Sequence, residues 1–164
     1  MLTSIKRSVP IIACLAVIVI TLFPGLSAAQ QKPNKSASIY NLIKDAEAFY
    51  EEGAYDKAEV NCRKLIEMNN RSTPAYNILG MVYSQRPGLE KESIGYFEKS
   101  LAIDPMQSDV YSQIAFLYSR LDKVDQAIDY MKRGLSYNAT NFPLNFNLGL
   151  TYLMKKRDPY AALS

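Results

Sequence analysis

The side chains able to do chemistry are few and badly placed for it. The chain of 164 residues contains no histidine. That removes the commonest general base and metal ligand, and with them every Ser-His or Cys-His nucleophile pair. Glu51-Glu52 and Glu90 with Glu92 are carboxylate pairs of the type used in acid–base catalysis, but they fall on solvated helix or turn surface with no pocket implied. Asp122-Lys123-Val124-Asp125 lacks the alternating oxygens and the glycine of a calcium loop. The seven glycines are scattered and form no phosphate-binding loop. Cys62 sits at an apolar helical position and reads as a small buried hydrophobe. No catalytic residue, metal ligand or cofactor is assigned, and the chain is expected not to be an enzyme.

Twelve tyrosines without one tryptophan raise a different chemistry, stacking against sugars or bases. Most of them recur at fixed intervals: Tyr55, Tyr76, Tyr83, Tyr96, Tyr111, Tyr118, Tyr130 and Tyr152. Recurrence favours packing between elements over ligand binding. Tyr40, Tyr50 and Tyr137 stand off that framework and are left freer to meet a partner.

The elements that must position these residues follow from a period of 34 or 35. Segments opening at Ile39, Thr73, Ser108 and Phe142 carry one pattern, with starts 34, 35 and 34 residues apart. Such a period means stacked units, each burying its apolar face only against its neighbours. Tyr111, Ile114, Ala115 and Tyr118 share one helical face, and after a turn at Leu121-Asp122-Lys123 so do Ala127, Ile128, Met131 and Leu135. The second unit repeats this with Tyr76, Leu79, Gly80 and Tyr83, then Ile94, Phe97 and Leu101. Ala46, Gly80, Ala115 and Gly149 put a small residue at one spot of each first helix, with Phe49, Tyr83, Tyr118 and Tyr152 three residues later. A small side chain there lets two helix axes approach closely. Asp104-Pro105 ends a helix, Pro74 and Pro143 open the next ones, and Ser108 and Asp109 are read as caps.

Gly53-Ala54-Tyr55-Asp56-Lys57-Ala58, Leu79-Gly80, Tyr83 and Pro105 together resemble the tetratricopeptide repeat. The likeness runs over residues 39–164, with departures. Leu42, Tyr76, Tyr111 and Asn145 stand where the family has tryptophan, Ser93 replaces a small alanine, Val124 stands where Tyr55 does, and one residue is added near Arg86-Pro87-Gly88-Leu89. The resemblance implies an all-α fold, a right-handed solenoid of helix-turn-helix repeats. Its units are expected at 39–72, 73–107 and 108–141, with a partial fourth at 142–164.

It also implies a concave groove lined by the first helices, suited to an extended peptide or a partner helix. The positions implied to face it are Ile43 and Glu47, Asn77 and Met81, Ser112 and Phe116, and Phe146 and Leu150. Tyr50, Gln85 and Arg120 are expected at its rim. Some family members grip a carboxylate with Lys, Arg and Asn on these inner positions; Ile43 and Glu47 do not fit that grip. A mostly apolar ligand face is expected, although Met81, Phe116 and Leu150 have the alternative of packing between first helices.

Residues 1–29 read as an export signal. Lys6 and Arg7 precede an uncharged, mostly apolar run from Val9 to Phe23, then Pro24-Gly25 and the small Ser27-Ala28-Ala29. The run is shorter than the roughly 20 residues of a spanning helix, so cleavage is expected, with an uncleaved inner-membrane anchor as the alternative. Residues 30–38 read as a flexible lead-in. Loss of the signal leaves 17 basic and 16 acidic residues, a net charge of +1, which gives no support to nucleic-acid binding. The expected location is the bacterial periplasm. Asn34, Asn70 and Asn138 open loose glycosylation triplets, and turn formation explains the last two as well. At the other end, Asp158 to Leu163 reads as the start of a further helix, leaving Leu148, Leu150, Leu153 and Met154 partly uncovered. That end is either continued in a longer repeat protein or covered by another chain, a second copy included.

The function expected is a non-catalytic protein-interaction scaffold in an envelope assembly or secretion complex. The alternatives are an exported carbohydrate-binding module or enzyme, and a membrane-anchored assembly factor.

Overall fold

The computed structural model describes residues 34–157. Among them are seven helices and no strand: α1 (Lys35–Glu51), α2 (Tyr55–Met68), α3 (Thr73–Ser84), α4 (Glu90–Ile103), α5 (Ser108–Arg120), α6 (Val124–Tyr137) and α7 (Phe142–Arg157). The expected export signal and the expected helix start after Asp158 lie outside these residues. The fold is an all-α solenoid of helical hairpins. Within hairpins α3 packs on α4 and α5 on α6, and each second helix then meets the first helix of the next hairpin.

The small-residue positions explain how each hairpin closes. Ala46 and Ala115 are buried, and Gly80 is pressed against Phe97 of α4. A Cβ on Gly80 would lie 2.6 Å from the Phe97 ring, inside van der Waals contact. Ser93 of α4 lies opposite, fully buried, and its hydroxyl donates to the Gly80 carbonyl at 2.6 Å. Serine therefore takes a slot held by Ala58 and Ala127 in neighbouring hairpins, because the bond satisfies a buried hydroxyl. Gly134 of α6 is packed as closely, against Tyr111 of its own hairpin and Leu144 of the next. Gly149 has nothing within 4 Å of its missing side chain.

Two apolar clusters run through the stack. One gathers Ala46, Cys62, Leu65, Ile78 and Leu79; the other gathers Phe97, Tyr111, Ile114, Leu117, Met131 and Leu144. Met81 packs against both. Cys62 is fully buried, and burial, then the charge of Glu59, pushes its thiol up to about 12. The recurring tyrosines pair inside the stack: Tyr83 with Tyr96 at 4.9 Å and Tyr118 with Tyr130 at 5.3 Å between centroids. Tyr152 is the exception, 44% exposed on α7.

Turn geometry follows the period. Gly53, Gly88 and Asp122 all adopt positive φ (74°, 85° and 59°) between the two helices of a hairpin. Only glycine enters that region without cost, and Asp is among the better substitutes. Between hairpins, the Asn69 side chain accepts from the Arg71 N–H and that of Asp104 from the Met106 N–H.

Three expectations change. Ser108 and Asp109 are not caps: Ser108 opens α5, and Gln107 precedes it without a side-chain cap. The side chain that does cap is Asn141, accepting from the Leu144 N–H at 2.9 Å. Residues 35–38 are helical rather than part of an unpatterned lead-in, since α1 begins at Lys35 and already half-buries Ser38 and Ile39. Tyr50 and Tyr137 are not loose: Tyr50 tilts against Tyr55 at 5.8 Å, and Tyr137 stacks on buried Tyr111 at 5.7 Å. Tyr40 alone of the three stands clear, 66% exposed.

Glycines 80 and 149 give opposite expectations for one substitution. Gly80→Ala overpacks the Phe97 contact and is expected to cost about 1–3 kcal/mol. Gly149→Ala meets open space and is expected to stabilise by up to about 1 kcal/mol through helix propensity. Urea unfolding followed by circular dichroism reads both, and equal midpoints for the two variants would contradict the packing described.

Candidate partner-binding groove

Helix α5 turns Ser112 and Phe116, spaced four apart, to the side where α7 presents Leu150. These three line one open cleft of about 150 Å³, together with Ala115, Ser119, Met131, Asn147, Thr151 and Met154. Phe116 is 60% exposed, so packing between first helices does not account for it. Two hydroxyls are spent on their own helices, Ser119 on the Ala115 carbonyl and Thr151 on that of Asn147. Such back-bonding leaves mainly methyl and methylene surface facing the cleft. Phe146 lies outside the lining; it is exposed and stacks on Phe142 at 6.0 Å. Asn147, Thr151 and Met154 were not anticipated. They sit three before, one after and four after Leu150, which is the same helical face.

The other expected groove residues are tied into the stack. Ile43 and Met81 are half-buried against the apolar clusters. Gln85 donates to the Tyr50 hydroxyl at 3.3 Å, joining these two across hairpins. Asn77 donates to the Gln107 side chain at 2.7 Å, while its Oδ1 is closed to solvent and lacks a partner. Arg120 is a cross-brace rather than a free rim cation. Its guanidinium donates to the Ser84 carbonyl at 3.1 Å and to Glu90 at 2.8 Å. Glu47 remains exposed.

Comparison with known proteins agrees with this architecture. Residues 108–141 match the tetratricopeptide repeat family. The chain is 27% identical over 143 residues to the protein CTR9 homolog of Arabidopsis thaliana, covering 85% of this chain and 13% of that protein. It thus spans about an eighth of that relative's length. Among solved structures it is similar to the Yersinia enterocolitica type III secretion translocator chaperone SycD, with a TM-score of 0.68 and 16% identity over 78% of this chain and 92% of that one. It is also similar to the first repeat domain of Spaghetti (RPAP3) bound to the HSP90 peptide SRMEEVD, with a TM-score of 0.65 and 17% identity over 73% and 94%. Residues 108–141 are thus a tetratricopeptide repeat, and the stack around them has the fold of such repeats.

In this stack a charged hub ties α2 to the next hairpin. Glu59 of α2 accepts from Arg63, from Arg86 at 2.8 Å and from the Tyr83 hydroxyl at 2.9 Å, and Arg86 also pairs with Asp56. Burial alone would raise the Glu59 carboxyl, but the three donors hold it below the usual range. Tyr83 moves the other way, to about 12, through burial and then its bond to Glu59. One repeat further, Tyr130 donates to Glu98 at 2.5 Å, and burial with that bond pushes its phenol well up. Among the described residues no three His, Cys, Asp or Glu side chains come together, and no helix is long and apolar enough to cross a membrane.

A depressed carboxyl contributes stability above its unfolded pKa and loses it as the pH falls through the folded value. Glu59→Gln is therefore expected to cost roughly 1–2 kcal/mol at pH 7. The gap from the parent chain should close as acid protonates Glu59 below the ordinary carboxylate range. Thermal melts of both proteins from pH 7 to pH 3 check this, and a gap independent of pH would contradict the hub.

Proposed function

We propose that this tetratricopeptide-repeat protein is a non-catalytic scaffold that holds a peptide or partner helix in its groove. The observation that carries the reading is the cleft between α5 and α7, where Phe116 and Leu150 stand exposed over mainly apolar walls. Large apolar side chains left open beside a concave surface favour a protein partner. The RPAP3 domain, of like fold, has a peptide bound, and SycD is a chaperone. A carbohydrate-binding role draws less support, because Tyr50 is packed against Tyr55 and Tyr137, though exposed, already gives one face to Tyr111.

The setting we propose is a cell-envelope assembly or secretion complex, reached by export to the periplasm. The basic head, the apolar run from Val9 to Phe23 and the small residues before Gln30 support export. Retention of that segment would make the same protein a membrane-anchored assembly factor facing the periplasm, and N-terminal sequencing of the exported product separates the two.

Replacing Phe116 and Leu150 together by alanine is expected to leave the fold intact, because neither side chain is buried. Proteins that co-purify with the tagged parent chain from its own cells should be lost from the double variant. Recovery of the same partners in the same amounts would overturn the assignment of the groove.

A further inference from the structure

Successive first helices meet at three junctions, and side chains tie two of them together at the rim. Gln85, at the end of α3, donates to the Tyr50 hydroxyl of α1. Arg120 of α5 donates to the Ser84 carbonyl of α3 and to Glu90. Tyr50 and Ser84 hold one place in the period, and Gln85 and Arg120 hold another, so the two braces are equivalent. At the α5–α7 junction those places fall to Ser119 and Met154, and a thioether has no proton to donate. Val124 stands where Glu90 does, so the second acceptor is missing as well. The cleft opens at this unbraced junction.

What lines the cleft limits what can enter it. Its walls carry Phe116, Met131, Leu150 and Met154 and no charged side chain. A charged group entering there would lose hydration without gaining a partner, whereas methionines adapt to varied apolar shapes. The volume is about 150 Å³, and an enclosed apolar cavity of about that size holds one benzene ring. One Phe or Leu side chain therefore fills it. The Ser112 hydroxyl and the Asn147 amide line the same cleft and make no hydrogen bond among the described residues. A carboxamide both donates and accepts, which matches a main-chain amide. Amides inside a helix are already bonded along its axis, so the match is to an extended chain.

We propose that the partner binds as an extended segment anchored by one uncharged side chain, Phe or Leu, in the α5–α7 cleft, with Asn147 holding its main chain. Met154 is the residue that sets the place, because a thioether there leaves open the junction that Arg120 and Gln85 close elsewhere. This rests on the groove reading above and adds which side chain enters, in what backbone form, and why at this junction.

The test selects short random peptides on phage against the full chain, then measures the enriched ones, fluorescein-labelled, by fluorescence anisotropy. They are expected to share one Phe or Leu, and Ala, Lys or Glu in its place should weaken binding about tenfold or more. Asn147→Ala should weaken it several-fold. Met154→Arg with Val124→Glu rebuilds the brace of the preceding junction and should abolish binding while the melting temperature holds. Met154 is 65% exposed, so Met154→Arg alone keeps the fold and should weaken binding too. In methyl NMR of the parent chain, the peptide should shift Met131 and Met154 and leave the exposed Met106 unmoved. Failure to enrich any peptide, no shared apolar residue, or binding that ignores Met154→Arg would overturn the anchor. If the Phe116/Leu150 variant nevertheless loses its co-purifying proteins, the groove reading stands without it; if that variant keeps them, both fall. Self-association that Leu150→Ala abolishes and the peptide fails to displace would assign the cleft to a second copy and overturn the proposal.

Discussion

The close approach of paired helices at a single small residue is the constraint on which the stack depends. Gly80 admits the Phe97 ring to a distance that even one methyl would forbid, and Ser93 locks the approach by bonding to the Gly80 carbonyl. A hairpin closed in this way still has an apolar outer face. It can bury that face only against the next hairpin, so α2 seeks α3, α4 seeks α5 and α6 seeks α7. The groove is a by-product of this propagation. Because first helices line up on one side, whatever they do not need for packing is presented there together.

Side chains from different hairpins then decide how much of that side is available. Arg120 is withdrawn by Glu90 and the Ser84 carbonyl, Asn77 by Gln107, and Gln85 and Tyr50 by one another. These bonds join residues 30 to 36 apart in the chain, about one repeat, which is why they fall in register. The Glu59 hub performs the same service on the other helix, tying α2 to Arg86 and Tyr83. The N-terminal part of the groove is thus built mostly from committed groups, with Lys44, Glu47 and Glu51 of α1 left exposed. Towards α7 the commitment lapses, and Phe116, Leu150, Leu153 and Met154 remain exposed.

Much of the scaffold was legible in the sequence. The recurrence of Ala46, Gly80 and Ala115 marks hairpin closure directly, whereas Gly149 holds the same place in the period and meets nothing within 4 Å. The starts of α3, α5 and α7 were legible because Pro74 and Pro143 sit where a missing N–H costs least and because the period recurs. Capping was less legible. Ser108 and Asp109 have the right chemistry for a cap, but the helix starts one residue earlier than that role requires, and it is Asn141 whose side chain reaches a free N–H. Tyr137 was hard to place for a related reason: its partner, Tyr111, lies on another helix.

The amino-acid sequence alone determined the architecture, because a period of 34 or 35 with helical faces leaves each unit insoluble by itself and soluble only in a stack. Which groove positions are open was decided by the tertiary structure. Arg120 and Phe116 are both first-helix residues on the same side, yet one is consumed by a carboxylate and a carbonyl from the neighbouring hairpin, and the other meets no helix that covers it. That difference depends on what a distant part of the chain brings within about 3 Å, and local spacing carries no record of it.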